Sequence, residues 1–141
     1  MKFLFVLLSV LIFSCSNHKD ESSASETSPL DLNGIYQTKK LENDQGDAYR
    51  YFLKFYEDGT VIRVTSSVTA EDIKGWFKRG HENVGEGEYE MTGDDISFTT
   101  TGKNGEMQYE GKIKDKATLS LRSKSAENDE EEVVTYKLVE D

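Results

Sequence analysis

A single cysteine in 141 residues leaves this chain no internal disulfide with which to staple a fold. Proline is as scarce, with Pro29 alone, so the turns fall to glycine and to Asn/Asp chemistry. Positive charge is in the minority: 17 Lys and Arg stand against 27 Asp and Glu, a formal net charge of −10. That balance argues against a nucleic-acid partner, which would require clustered Lys and Arg. It argues equally against electrostatic adhesion to anionic lipid, and it favours solubility. The one long apolar run, residues 3–13, is too short to cross a bilayer as a helix, which takes about 20 residues.

Reaction motifs are missing as well. There is no GxSxG, HExxH, P-loop or CxxC. Of the two histidines, His18 lies in a polar segment and His81 follows Gly80, where a surface role is expected. Asp94 and Asp95 sit in a turn, where aspartate bonds locally. The acids Glu127 and Asp129 to Glu132 lack the ligand alternation and the glycine of a calcium loop and read as a solvated loop. No catalytic residue, metal or cofactor is expected, and the chain is not expected to be an enzyme.

The amino terminus carries the clearest chemistry. Lys2, the apolar run, and then Ser14 and Cys15 reproduce the layout of a secretory signal, whose apolar part spans about 7–15 residues. The stretch Ile12-Phe13-Ser14-Cys15 resembles the lipobox of bacterial lipoproteins, although Phe13 departs from the small or β-branched residue usual there. The resemblance implies that the Cys15 thiol receives a diacylglycerol, that residues 1–14 are removed, and that the new amino terminus is acylated, with palmitate among the chains. Each buried methylene adds about 0.8 kcal/mol, so two or three chains anchor stably where one does not. An ordinary secretory signal with an incidental cysteine is the alternative.

Residues 15–30 then read as a lipid-anchored flexible tether, with no apolar periodicity. A coil of that length reaches roughly 20 Å. Ser16 replaces the aspartate that would retain an enterobacterial lipoprotein at the inner membrane. Lys19-Asp20-Glu21 resembles the Lys-acid-acid export signal of surface lipoproteins in Bacteroidota; a charged tether without a message is the alternative. The expected location is the cell envelope, at the outer membrane, either periplasmic or surface-exposed.

From residue 31 to 141 the pattern turns to period two, broken by turn signals every 8–15 residues, as in an all-β barrel or sandwich. Strands are expected over 32–40, 49–56, 60–66, 84–91, 96–101, 107–114, 117–123 and 133–139. Ile62 and Val64 are taken as inward, and Leu32-Asn33-Gly34-Ile35-Tyr36 opens the first strand. Between the third and fourth strands, Thr69 and Asp72 form a capping box. Ile73, Trp76 and Phe77 then make one apolar stripe of a helix of about ten residues ending at Gly80. The end of the barrel is its expected seat, either as a lid over a ligand cavity or as a plug completing the core.

Eight antiparallel strands without a long crossover predict an up-and-down barrel, whose closure leaves no free edge. The order of features, from Leu-Asn-Gly-Ile-Tyr through Leu-Lys-Phe-Tyr-Glu-Asp-Gly-Thr-Val to a final Tyr-Lys-Leu, is similar to the lipocalin-like domains of bacterial lipoproteins. The resemblance implies a lipocalin-like β-barrel binding a small apolar ligand or an envelope protein. Candidate interior and lid residues are Tyr36, Phe55, Trp76, Phe77, Tyr89, Phe98, Tyr109 and Tyr136. The alternative is a protein-interaction or inhibitor module using the acidic surface. A monomer is expected.

Overall fold

Alternation along a strand sends one row of side chains inward and the other outward, and a ring of such strands gives an enclosed core. The computed structural model describes residues 29–139. The Cys15 anchor, the segment before it and most of the tether lie outside the described residues. The strands are β1 (Ile35–Thr38), β2 (Leu41–Glu42), β3 (Ala48–Phe55), β4 (Thr60–Ser66), β5 (Gly85–Thr92), β6 (Asp95–Gly102), β7 (Gly105–Asp115), β8 (Thr118–Ser125) and β9 (Glu131–Val139), with one helical turn, α1 (Ala70–Ile73), between β4 and β5. All neighbours are antiparallel. Because β1 pairs with both β9 and β3, eight strands close into a barrel.

The short β2 is a continuation of β1 past a kink. Tyr36 opposes Leu53 and Leu41 opposes Tyr49, so five steps on one strand match four on the other. One extra residue, a bulge, therefore falls around Lys39 and Lys40. The Thr38 hydroxyl patches the break, accepting from the Tyr51 N–H at 3.2 Å and donating to the Lys39 carbonyl at 2.8 Å.

The inward row fills the floor of the barrel with Tyr36, Leu53, Phe55, Val61, Ile96, Phe98, Ile113, Leu119 and Leu121, all buried in one cluster. Leu30, assigned to the tether by sequence, is 2% exposed and joins that cluster. Next to it, the Tyr36 hydroxyl donates to the Lys116 carbonyl at 2.6 Å and accepts from the Asp31 N–H at 2.8 Å. This end of the barrel is thus closed by the segment that leads into β1.

The helix corrects two expectations. It is one α-turn followed by a 3-10 turn (Lys74–Trp76), not ten residues. The capping box is present at Thr69 and Asp72, but Gly75 costs about 1 kcal/mol relative to alanine in a helix. Beyond it the backbone is claimed by other bonds: the Phe77 carbonyl accepts from the Tyr56 hydroxyl at 2.5 Å, and the Lys78 N–H donates to Trp76 at 2.7 Å. Arg79 bonds Asp58 and Thr60.

The helix also does not sit at the barrel end. Ala70, Ile73 and Phe77 form a second cluster with Ile35, Phe52, Ile62, Val64 and Val84. Phe52 opposes Val64, one step out of phase with Leu53 opposite Arg63, so this cluster covers the outer wall. Ile62 and Val64 are therefore buried, as expected, but from outside. The row they were expected to share with the interior belongs to Val61 and Arg63.

Candidate binding site

Tyr36, Phe55, Tyr89, Phe98, Tyr109 and Tyr136, expected from sequence to line the interior, do share the inward row. Most of them act as filling. Phe55 meets Tyr36, Tyr89 and Phe98 edge-on with centroids 5.8, 5.2 and 5.6 Å apart. Phe98 stacks on Tyr109 at 4.6 Å. The Tyr89 hydroxyl is spent on the Tyr56 carbonyl at 2.6 Å. Trp76 and Phe77, the proposed lid, are not interior residues. Phe77 belongs to the outer layer, and Trp76 stacks on His81 with centroids 5.8 Å apart.

Above the floor the inward row changes character. Thr38, Tyr51, Arg63, Thr100, Met107, Tyr109, Ser123, Glu132 and Tyr136 take the inward positions there, as the strand pairing places them, with Glu132 at the exposed mouth. A cavity of ≈ 520 Å³ opens at this end, lined by Tyr51, Arg63, Met107, Tyr109, Ser123 and Tyr136, with Glu130, Glu131 and Glu132 at its rim. A second, of ≈ 410 Å³, reaches Arg63 from the side of Thr65, Trp76, Asn83 and Gly85.

Comparison with known protein families, with curated proteins and with solved structures finds no match. The chemistry of the cavity has to be read from its own residues. Among the described residues no group of three or more His, Cys, Asp and Glu is placed to hold a metal ion, and no helix is long and apolar enough to cross a membrane.

The tyrosines of the cavity are neutral phenols at ordinary pH. Burial pushes Tyr109 above its usual value, against the opposing pull of Arg63 and Thr100, with Glu132 adding to the rise. Burial raises Tyr136 well above the usual range, and Tyr51 is raised by burial, by its bond to Tyr49 and by Glu132. None of them can thus supply a negative charge to Arg63. They offer hydroxyl dipoles and ring faces instead.

Arg63, Thr100, Met107 and Ser123 escaped the sequence reading. The stretch Val61-Ile62-Arg63-Val64 fits the apolar pattern in either phase. Placing its two aliphatic members Ile62 and Val64 inward left Arg63 outside, in solvent. Only the partner strand shows otherwise: Arg63 opposes Gly85, in phase with Val61 opposite Gly87. That glycine leaves room for the guanidinium, since a Cβ there would lie 3.2 Å from Arg63 Nε and 3.3 Å from Nη2.

Proposed function

We propose that this protein is a lipid-anchored lipoprotein of the cell envelope whose lipocalin-like barrel binds a small molecule at its polar end, without catalysis. The observation that carries the binding reading is the contrast between the two ends of the interior. The floor is solid, with Tyr36, Leu53, Phe55, Val61 and Leu119 each 0% exposed, while the other end holds the ≈ 520 Å³ cavity. Ligand pockets pair an apolar wall with a few convergent polar groups, and here Met107 and three tyrosine rings accompany Arg63 and Ser123. A solid floor leaves no room for a long apolar chain to thread the barrel, so a compact ligand suits it better.

Binding is preferred to catalysis because the cavity presents no nucleophile held by a base. The Ser123 hydroxyl donates to the Glu132 carbonyl at 3.5 Å, and His81 sits outside, against Trp76. A second reading, a protein-interaction module, draws on a groove of ≈ 960 Å³ across the outer faces of β5 to β8. There Glu88, Glu90 and Glu110 face Arg122 and Lys124.

The ligand is sought by thermal shift of the full chain against fatty acids, retinoids, haem and compact polar aromatics. A compact ligand is expected to raise the midpoint and long-chain compounds to leave it unchanged; a response confined to the long chains would contradict the solid floor. The anchor has its own test. Cys15→Ser is expected to move the protein out of the membrane fraction and to abolish labelling with a palmitate analogue. Retention and labelling of the variant would refute lipidation at Cys15.

A further inference from the structure

The cavity contains a cation that the fold answers only in part, through the Tyr109 hydroxyl and without an ion pair. Arg63 projects inward from β4, and among the described residues no carboxylate forms an ion pair with it. Its Nε is buried without a hydrogen-bond partner. Beside it, Thr100 is 0% exposed and its Oγ1 makes no hydrogen bond of normal geometry, with only the Tyr109 hydroxyl approaching it. The two groups are neighbours, since a Cβ on Gly85 would lie 3.2 Å from Arg63 Nε and 3.3 Å from Thr100 Oγ1. A buried polar group without a partner costs free energy, and a charge costs more. The Tyr109 hydroxyl lies close to both groups and relieves them in part, but as a phenol held neutral by burial it supplies no counter-charge. The residues that would make a plain barrel were available here: a valine at 63 would continue the alternation with Val61.

We propose that the ligand of this cavity is a small organic monoanion, a carboxylate on a compact aromatic or branched body, with its charge on Arg63. This rests on the binding reading given above and names the chemical class it takes. The guanidinium fork matches a carboxylate in two parallel hydrogen bonds. The Tyr51, Tyr109 and Tyr136 rings and Met107 supply the apolar walls for the body. The rim selects charge number. Glu130, Glu131 and Glu132 line the same opening, so a second negative charge on the ligand meets three like charges with only one interior arginine to offset them. A monocarboxylate is favoured over a phosphate monoester on that ground.

The test compares phenylacetate with phenylacetamide, its neutral counterpart of the same shape, and with inorganic phosphate, on the full chain. Titration is followed by calorimetry and by the Arg63 Nε–H resonance in nitrogen-labelled protein. A hydrogen-bonded charge pair is worth enough to expect a carboxylate preference of about tenfold or more. Movement of the Arg63 resonance with phenylacetate alone is the expected signature. In Arg63→Met the preference is expected to vanish, and in Arg63→Lys to shrink while remaining measurable, since the charge stays and the fork goes. The amide comparison is made on the unaltered chain, so it holds even where a variant fails to fold. Equal binding of phenylacetate and its amide, an unmoved Arg63 resonance, or tighter binding of phosphate overturns the proposal. A neutral compound from the thermal-shift screen that binds Arg63→Met as well as the parent also overturns it, yet leaves the barrel a binding module. If no compound of any class binds, both readings fall.

Discussion

Gly87→Ala is expected to unfold the barrel, or to shift its urea midpoint by more than any single side-chain truncation on the surface. Gly87 occupies an inward position of β5, between Val61 and Thr100. A Cβ there would stand 1.7 Å from the Thr99 carbonyl oxygen and 2.8 Å from its carbon. Both are backbone atoms of the neighbouring strand, so no rotamer change relieves the clash. β5 and β6 would have to separate at this close approach. Overpacking that can be absorbed by side chains costs about 1–3 kcal/mol, and a strand displacement should exceed that range in a domain whose whole stability is about 5–15 kcal/mol. Gly93→Ala is the control. Gly93 has φ of +61° in a turn, with nothing within 4 Å of an added Cβ, so only the left-handed conformation is penalised, by about 1–2 kcal/mol. Equal midpoints for the two variants would refute the close-approach argument. Gly111, where a Cβ would lie 2.0 Å from the Ser120 carbonyl oxygen, marks a second such close approach.

Phe55→Ala is expected to cost about 3–5 kcal/mol, the usual range for a buried phenylalanine. Phe55 is 0% exposed and is the hub of the floor, since it holds edge-to-face contacts with Tyr36, Tyr89 and Phe98 together. Aromatic pairs contribute about 0.5–1.5 kcal/mol beyond their buried area, which places this site toward the upper part of the range. Phe55→Leu should lose clearly less, because much of the volume is restored. The variant also tests the solidity of the floor. Removing the ring leaves an apolar void of the kind that stays dry and admits small apolar molecules, so benzene should stabilise Phe55→Ala and leave the parent unchanged. A loss below about 1 kcal/mol, outside the range for such truncations, would mean that the floor is not the packed body described.

These two sites show how unevenly the sequence speaks. In the sequence, Gly87 is only a gap in the alternation of β5. The distance that makes Gly87 indispensable belongs to the carbonyl of Thr99, a residue twelve positions further along the chain. Phe55 is a candidate interior residue from the sequence, yet its role as a hub depends on rings carried by β1, β5 and β6. The helix was located by its capping box, but its length and seat were not. Tyr56 takes the carbonyl that a longer helix would have used, and no local rule announces that contact.

Arg63 is the sharpest case. In a strand apolar on both faces, period two fixes which residues share a wall and leaves undecided which wall is the inside. The helix covering Phe52, Ile62 and Val64 makes the outer wall of β3 and β4 as apolar as the inner one, and so erases the contrast from which orientation is normally read.

What the sequence alone determined is local: the alternating strands and their turns, the capped helical turn, the scarcity of reaction motifs, and the expectation of an anchor at Cys15. Each follows from chemistry between residues near one another in the chain. What the tertiary structure decided is which ends and walls those strands form. Closure of β1 against β3 and β9, the seating of Leu30 in the floor, and the meeting of Arg63, Thr100 and Tyr109 on three separate strands all depend on register between distant segments. An inward arginine with no carboxylate in ion-pair contact is a property of that register, and it is where the function of this protein is to be sought.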